Sequence, residues 1–177
     1  MKPKLSTVAF CVSAIALLIY LLFANPIVGF FASSNIRKID ALPQREDKVY
    51  SVAESLSFQS DDGLPDFFIL TGWGFCETKE DNANREFFVI FANDKNIYSL
   101  EIGKDYQETR MDVKNAYATL FIPSADVGFD RVLVSTIGMK NGIYDMYFYC
   151  KENETNSGII NTGVQLEKTS SGIRQNE

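Results

Sequence analysis

The sequence contains no histidine among its 177 residues. Histidine is the side chain that most often acts as a general base near neutral pH, and it is the commonest transition-metal ligand. Its absence excludes the Ser-His-Asp and Cys-His arrangements of nucleophilic catalysis. Catalysis by paired carboxylates or by a Ser-Lys pair stays open, but the sequence favours a protein that is not an enzyme.

Cysteine is scarce as well, since the chain has three and none of them stands in a CxxC motif. A zinc site therefore has no ligand pattern to support it. Four acidic residues lie in predicted loops but lack the spacing of a calcium-binding loop: Asp61, Asp62, Asp81 and Asp94. We expect neither a bound metal nor another cofactor.

Acidic residues are absent before Asp40, and the first 36 residues contain two basic ones, Lys2 and Lys4. Of the 17 basic residues, 15 therefore lie beyond this region together with all 23 acidic ones, which gives a formal charge of −8. A negative surface repels phosphate backbones, so we expect no nucleic-acid partner. Docking onto anionic lipid through a basic patch is equally unsupported.

An uncharged segment covers residues 8–31. As a helix it would be about 36 Å long, enough to cross a bilayer core of about 30 Å. The sequence thus predicts a transmembrane helix in contact with lipid, with Asn25-Pro26 as a kink or as its outer end. Positive charge on the N-terminal side of the segment, from Lys2 and Lys4, slightly exceeds that on the C-terminal side, where Asp40 partly offsets Arg37 and Lys38. Since the more positive side generally stays in the cytoplasm, we expect residues 1–7 to be cytoplasmic.

A cleaved signal peptide is the alternative interpretation, because Ala32-Ser33-Ser34 offers the small residues that a signal peptidase accepts. The apolar segment is longer than the 7–15 residues usual for a signal peptide of this kind, which favours an uncleaved anchor. No lipobox cysteine follows the segment, and Cys11 lies inside it. Both interpretations place the remaining chain outside the cytoplasm, as a single-pass membrane protein or as a secreted one.

The exported part divides into three regions. Residues 32–48 are predicted to be a stalk, 49–168 a β-domain and 169–177 a disordered tail. Short apolar runs separated by turn residues predict about eight strands. The expected fold is a two-sheet antiparallel, immunoglobulin-like β-sandwich, and a small open barrel is the alternative.

Individual strands and turns carry further predictions. Residues 87–91 are apolar on both faces, which indicates a central strand. Residues 93–96 predict a hairpin loop, 120–122 a short strand, and Lys140-Asn141-Gly142 a second hairpin turn. Four apolar residues share one parity, which predicts that they lie on the same face of a strand: Tyr50, Val52, Leu56 and Phe58.

Cys76 and Cys150 both lie beside predicted strand ends in the exported part. An oxidising location favours a disulfide between them. The bridge would close a loop of about 75 residues, worth roughly 4 kcal/mol in the chain-entropy model. Two separate buried thiols are the alternative.

Aromatic residues supply the candidates for a ligand site. Trp73, Tyr147 and Tyr149, with Tyr144, form a hypothetical platform for sugar rings. The alternative for Trp73 is a place in the core, because it stands within an apolar strand. Tyr147 and Tyr149 alternate with apolar residues, so we expect them to be more exposed and to be the better candidates.

Arg110 and Asp112 frame a segment that breaks the strand pattern. Arg110 is a candidate for binding a carboxylate or phosphate group as a bidentate donor. The alternative is an internal ion pair, with Asp112 as a structural residue that caps a helical turn. Gly142 and Tyr144 are likewise assigned structural roles.

Four short motifs in sequence order carry a resemblance: Gly72-Trp73-Gly74-Phe75, Arg110-x-Asp112-Val113, Gly128-Phe129 and Asn141-Gly142-x-Tyr144. Over residues 49–167 the chain resembles a small, poorly characterised all-β domain of bacterial surface and membrane proteins, which sometimes accompanies glycosyltransferase or envelope-polysaccharide modules. Gly74 stands where that domain commonly has alanine, and Met111 where it commonly has proline. The resemblance implies a β-sandwich accessory module and no catalytic residue.

Together these features predict a membrane-anchored, non-catalytic binding module for an envelope glycan or cell-wall polymer. A structural or assembly subunit that binds another envelope protein is the second hypothesis. A carboxylate-based enzyme acting on glycans is the third, and it requires a concave pocket containing a suitable acid.

Overall fold

The computed structural model describes residues 11–20, 34–43, 48–60, 63–77, 86–120, 126–151 and 157–176. Residues 11–20 are α-helical (α1), and all ten are exposed. The predicted transmembrane segment, 8–31, extends beyond the described residues on both sides. Within the described ranges, no helix combines the length and apolarity that crossing a membrane requires.

The rest of the described chain is built mainly from strands. One α-helix, α2, covers Met111–Ala116, and a 3-10 turn covers Lys104–Tyr106. The strands are β1 (Ser34–Asn35), β2 (Arg37–Ile39), β3 (Val49–Phe58), β4 (Phe67–Cys76), β5 (Glu86–Ala92), β6 (Ile97–Ile102), β7 (Gln107–Thr109), β8 (Asp126–Ser135), β9 (Gly142–Lys151), β10 (Ser157–Thr169) and β11 (Gly172–Gln175).

These strands form two sheets. Sheet A has the order β1-β8-β4-β3, with β7 also paired to β8, and sheet B has the order β11-β10-β9-β5-β6-β2. Between the strands given above, all pairing is antiparallel except that of the two-residue β1 with β8. The prediction of an all-β, two-sheet antiparallel sandwich is confirmed.

The core lies between the two sheets and receives alternate side chains from each. Phe68, Leu70 and Val132 come from sheet A, and Phe91 and Phe148 from sheet B. Each of these five side chains is at most 2% exposed. Alternation along the strands therefore leaves the neighbouring residues on the two outer faces, where a ligand could reach them.

Strand β3 does not keep one face along its length. Its pairing with β4 slips by one residue at Glu54, which forms a β-bulge. Leu56 and Phe58 pack into the core, whereas Tyr50 packs on the outer side of sheet A and Val52 is 44% exposed. The prediction that these four residues share a face is wrong, because the extra residue of the bulge reverses the alternation.

The predictions for the middle of sheet B are confirmed. The run 87–91 lies in β5, which has β9 on one side and β6 on the other. The loop after it is a hairpin in which the Asn93 N–H donates to the Asn96 carbonyl at 3.0 Å. The Asn93 side-chain oxygen accepts from the backbone N–H groups of Lys95 and Asn96, which locks the turn.

The predicted hairpin turn at Lys140–Gly142 is wrong, because the strands on its two sides, β8 and β9, lie in different sheets. The tight turn comes earlier: the Met139 N–H donates to the Thr136 carbonyl at 3.0 Å, and Gly138 has a φ of +92°. Gly142 is the first residue of β9. The chain thus crosses between the sheets at this corner.

Two regions that were predicted to lie outside the domain contribute strands to it. Within 32–48, the predicted stalk, β1 pairs with β8 and β2 pairs with β6. Within 169–177, the predicted disordered tail, β11 pairs with the end of β10. Ile173 explains the second case, because it is 4% exposed and its N–H donates to the Pro65 carbonyl at 2.9 Å.

The predicted strand at 120–122 is not formed at Leu120, which follows α2 and donates its N–H to the Tyr117 carbonyl. Residues 121 and 122 lie outside the described ranges. Leu120 packs instead on the outer face of sheet A, against the hydrophobic cluster that α2 covers. Its apolar character thus reflects coverage of a sheet by a helix and its flanking turn.

Cys76 and Cys150 are brought together in the core but are not joined by a disulfide. They are 1% and 0% exposed, at the ends of β4 and β9. The Cys76 Sγ donates to the backbone carbonyl of Cys150 at 3.3 Å, so this thiol is directed at the main chain of Cys150. The predicted disulfide is therefore wrong, whereas two buried thiols describe the site.

Candidate functional site

Arg110 is held by two carboxylates on the outer side of sheet A. Its guanidinium donates to both oxygens of Glu54 at 2.8 and 2.9 Å and to both oxygens of Asp112 at 2.7 and 2.9 Å. Hydrogen bonds to Asp112 and then to Glu54 raise the pKa of Arg110 above its ordinary value. The bond from Arg110 lowers the pKa of Asp112 to about 2. Both bidentate positions of the guanidinium are thus filled from within the protein.

Gly128 makes room for this arginine. A Cβ at position 128 would lie 2.5 Å from the Arg110 Cγ and 3.0 Å from the Glu108 carbonyl oxygen. Gly128 is in β8 and Glu54 in β3, with β4 between them, so the Arg110 side chain crosses the middle of the sheet. We call Glu54, Arg110, Asp112 and Gly128 the arginine clasp.

The clasp lies at the start of α2, with Arg110 as the N-cap residue of that helix. Arg110 makes no side-chain capping bond, and Asp112 lies in the first turn instead of at the cap, where it was predicted. By tying Asp112 to Glu54, the arginine fastens α2 to the far edge strand of sheet A. Its contacts therefore hold the helix in place, and both bidentate edges of the guanidinium, with four of its five N–H donors, are used within the protein.

Trp73 is 7% exposed and lies beneath α2. It stacks on Phe75, with ring centroids 6.0 Å apart, and meets Tyr117 at 5.5 Å. Val113 of α2 is 4% exposed and belongs to the same cluster. Trp73 is thus part of a second, smaller core between sheet A and the helix and is not available to stack on a sugar.

The motifs that carry the resemblance can now be explained by packing. Trp73 and Phe75 fill the cluster beneath α2, while Arg110, Asp112 and Gly128 form the clasp beside it. Gly74 points the other way, where a Cβ would lie 2.4 Å from two ring carbons of Phe148. The alanine that is common at this position in the resembled domain would therefore clash with the core of this chain.

Tyr144 has a structural role at the corner between β8 and β9. It is fully buried, and its hydroxyl donates to the Lys140 carbonyl at 2.8 Å. The Tyr98 hydroxyl accepts the Lys140 N–H at 3.0 Å, so two tyrosines fix the same residue from both sides. Burial raises the pKa of Tyr144. Tyr144 is not part of an exposed aromatic platform.

Tyr147 and Tyr149 lie on the outer face of sheet B, opposite the core residues Met146 and Phe148 of the same strand. Both are half-buried. Tyr149 pairs in register with Phe88 of the neighbouring strand, and their ring centroids are 5.6 Å apart. Phe88, Tyr147 and Tyr149 therefore form one patch of adjacent, partly exposed rings, which we call the aromatic strip.

Phe88 was not among the aromatic residues that the sequence pattern predicted to be exposed. The run 87–91 was interpreted as apolar on both faces, which is correct but does not say which face is open to solvent. Alternation supplies the missing signal, because Phe87, Val89 and Phe91 are core residues and Phe88 must then point outward. Phe88 is half-buried on this face, whereas on the outer face of sheet A the cluster beneath α2 buries Trp73.

An open groove of about 460 Å³ begins at Phe88 and runs toward the edge of sheet B. Arg37, Ser99 and Glu101 supply polar groups to it, and Tyr106 lies at its end. Phe88 pairs with Glu101, and Ser99 pairs with Arg37, so the groove crosses three strands side by side. Among described residues, neither Arg37 nor Glu101 has an ion-pair partner.

The aromatic strip and the groove together offer flat apolar rings and, beside them, polar side chains. Such a combination suits a ligand with both apolar faces and hydroxyl groups. The described lining of the groove contains a single carboxylate, Glu101. In the described part of the chain, no cluster of acidic or cysteine side chains is suited to a metal ion. Of the loop acids considered in the sequence, Asp94 is exposed, and Asp61, Asp62 and Asp81 lie outside the described residues.

Comparison with known proteins returned no match to a family model, to a curated protein or to a solved structure.

Proposed function

We propose that this protein is a non-catalytic binding module whose aromatic strip and adjoining groove hold a glycan or cell-wall polymer. The observation that carries the proposal is the patch formed by Phe88, Tyr147 and Tyr149 on the outer face of sheet B. The other aromatic candidate, Trp73, and the other polar candidate, Arg110, are already occupied within the protein. Sheet B therefore offers the better surface.

The physical argument rests on the two-sided chemistry of sugars. A pyranose ring presents C–H groups on its faces, which pack on an aromatic ring, and hydroxyl groups around its rim, which need polar partners. The aromatic strip supplies the rings, and Arg37, Ser99 and Glu101 supply donors and acceptors. Glycoside hydrolysis generally uses two carboxylic side chains, and the described lining of the groove supplies one, Glu101.

The architecture of an accessory domain supports the same proposal. The long strands of sheet A are β3, β4 and β8, and those of sheet B are β5, β6, β9 and β10, which is the division found in immunoglobulin-like sandwiches. Tyr144 also matches the tyrosine corner of that fold, since it is near the start of the sixth long strand and bonds back to Lys140. We therefore propose an immunoglobulin-like domain.

We further propose that residues 8–31 anchor this domain in a membrane, with residues 1–7 in the cytoplasm and the sandwich outside. Support comes from the uncharged length of the segment and from the exposed, apolar helix at residues 11–20. A cleaved signal peptide, which would give a secreted protein, is the alternative. Mass spectrometry of the chain purified from its host distinguishes the two, because cleavage near Ala32-Ser33-Ser34 removes the apolar segment.

The binding proposal is tested by affinity electrophoresis of the full chain in detergent, in gels containing neutral polysaccharides, uronic-acid polysaccharides or soluble peptidoglycan fragments. We expect at least one gel to retard the protein and Tyr149→Ala to weaken binding about tenfold, which corresponds to about 1.4 kcal/mol. Ile143→Ala is the matched control, because Ile143 is 48% exposed on the same face of the same strand but outside the strip. Lack of retardation by every polymer, with the protein folded, would contradict glycan binding.

An assembly subunit is the second candidate, because the outer face of sheet B also carries aliphatic side chains that a protein partner could cover. Ile39, Ile97 and Ile159 are half-buried there, on three different strands. A photo-crosslinking residue at position 149, used in intact membranes, separates the two functions. Recovery of one defined protein and no glycan would favour the assembly subunit.

A further inference from the structure

The domain begins almost immediately after the apolar segment. Ser34 already pairs with Val134 of sheet A, and Arg37 pairs with Ser99 of sheet B. The predicted stalk would have allowed the domain to stand away from a membrane. Instead, both sheets are joined to the chain within six residues of Phe31, the last residue of the uncharged segment.

We infer that the sandwich is held directly against the bilayer by the side formed by β1 and β2, with no stalk between them. This inference rests on the proposed membrane anchor. Whatever path residues 32 and 33 take, the Cα atoms of Phe31 and Ser34 can be at most about 11 Å apart. Arg37 can be at most about 21 Å from Phe31 by the same arithmetic.

An earlier end of the membrane span leaves this conclusion unchanged. If the helix ended at Asn25-Pro26, the next residues would be Ile27, Val28, Gly29, Phe30 and Phe31, none of which has a polar side chain. Such residues, and phenylalanine in particular, remain in the apolar core or at its boundary, because exposing them to water is unfavourable. The covalent tether to Ser34 therefore starts at the bilayer surface in either case.

The chemistry of the β1–β2 side suits a headgroup layer. Lys38 is exposed, and within the described residues its side chain has no ion-pair partner. Its long flexible stem allows its charge to reach lipid phosphate groups. This cation can therefore contact headgroups of any charge type, although the chain as a whole is acidic.

The opposite side of the sandwich is far from this tether. In sheet B, β2 and β11 are the two edges and are separated by five strand spacings, which amount to about 24 Å. Gln175 in β11 is exposed, and its side chain has no hydrogen-bond partner among described residues. Position 175 therefore provides a far reference and position 38 a near one.

Short-range quenching by a lipid headgroup probe tests the inference. The full chain carrying Cys11→Ser is reconstituted in phosphatidylcholine vesicles, with one added cysteine for a fluorophore, either Lys38→Cys or Gln175→Cys. Cys76 and Cys150 are at most 1% exposed, so we expect the fluorophore to label the added cysteine in preference to them. A nitroxide attached to a fraction of the lipid headgroups is the quencher, and flotation of the vesicles shows whether the chain is anchored.

We expect the label at position 38 to lose about half of its fluorescence or more and the label at 175 to lose little. Position 38 is close in sequence to Phe31, whereas position 175 is on the opposite edge of sheet B and therefore farther from the bilayer. A Gly-Ser insertion of about ten residues between positions 32 and 33 adds roughly 35 Å of reach and should relieve the quenching at 38. Protein that floats with the vesicles while neither label is quenched would overturn the inference and leave the anchor intact. Protein that does not float would overturn the anchor itself, and the inference with it.

Discussion

At the scale of single residues, the side chains that stand out in the sequence as functional candidates are not always the ones that are exposed to a ligand. Arg110 and Trp73 belong to the most distinctive motifs in the sequence, yet they are used in packing and in fastening α2. Phe88 belongs to no motif, yet it lies on the open face. The difference arises because a distinctive motif indicates that the local geometry allows few residue types. The packing of a helix on a sheet restricts residue types as strongly as a binding site does.

Gly74 tests how closely β4 and β9 pack. Gly74→Ala should lower the free energy of unfolding by about 1–3 kcal/mol, because the added methyl group would overlap the Phe148 ring. Gly103→Ala is the control, since its nearest contact would be 3.9 Å away at Tyr106. Urea unfolding of both variants is the measurement. Equal stability of the two would mean that the ring of Phe148 moves aside without cost.

Asp112 gives a pH dependence with a definite sign. Its pKa is lowered in the folded protein from its ordinary value of 3.8 to about 2. The ion pair therefore contributes its full stability above about pH 4 and loses it as the pH falls through about 2. We expect the stability of Asp112→Asn to fall less steeply between pH 4 and pH 2 than that of the wild type. Parallel curves over this range would show that the ion pair of Asp112 with Arg110 does not stabilise the fold.

At the scale of secondary-structure elements, the pattern of the sequence identified the long strands because their alternation is regular. Residues 87–91 and the turn at 93–96 were predicted correctly from that pattern. The errors fell where one residue changes the geometry, as at the Glu54 bulge, or where pairing is decided at long range. Short polar strands such as β1, β2 and β11 have no local signal, since partners far along the chain stabilise them.

The strand β11 provides a test of such long-range pairing. Ile173→Ala should destabilise the protein by about 2–4 kcal/mol, because this side chain is 4% exposed in the core. Gln175→Ala, in the same strand but exposed, should have almost no effect. Chemical denaturation of the two variants is sufficient. If Ile173→Ala were as stable as Gln175→Ala, residues 172–175 would not be packed against the sandwich.

At the scale of the whole molecule, the two outer faces of the sandwich differ. Helix α2 and the arginine clasp cover the Trp73 cluster on sheet A, whereas the half-exposed aromatic strip and the groove lie on sheet B. The sequence predicted the two layers and the outward direction of Tyr147 and Tyr149. The sequence could not predict which outer face α2 covers. The position of α2 depends on the packing of Val113 against the Trp73 cluster and on the ion pair between Arg110 and Glu54, and the residues of each pair are far apart in the chain.

The charge of the exported part bears on the choice of ligand. The residues beyond position 36 carry a formal charge of −8, so we expect neutral polysaccharides to bind better than those containing uronic acids at low ionic strength. Added salt should narrow this difference, because it screens the repulsion. Affinity electrophoresis at two salt concentrations measures the effect. Stronger binding of the acidic polymer at low salt would mean that Arg37 outweighs the overall charge.

The central claim is that the ligand binds to the aromatic strip on sheet B and not to the Trp73 cluster under α2. Chemical-shift mapping with ¹³C-labelled tyrosine and ¹⁵N-labelled tryptophan tests it most directly, as the chain has one tryptophan and eight tyrosines. During titration with the polysaccharide that binds in the gels, the signals of Tyr147 and Tyr149 should shift while those of Trp73 and Tyr117 stay fixed. Shifts at Trp73 and Tyr117 with none at Tyr147 and Tyr149 would contradict the assignment of the binding face.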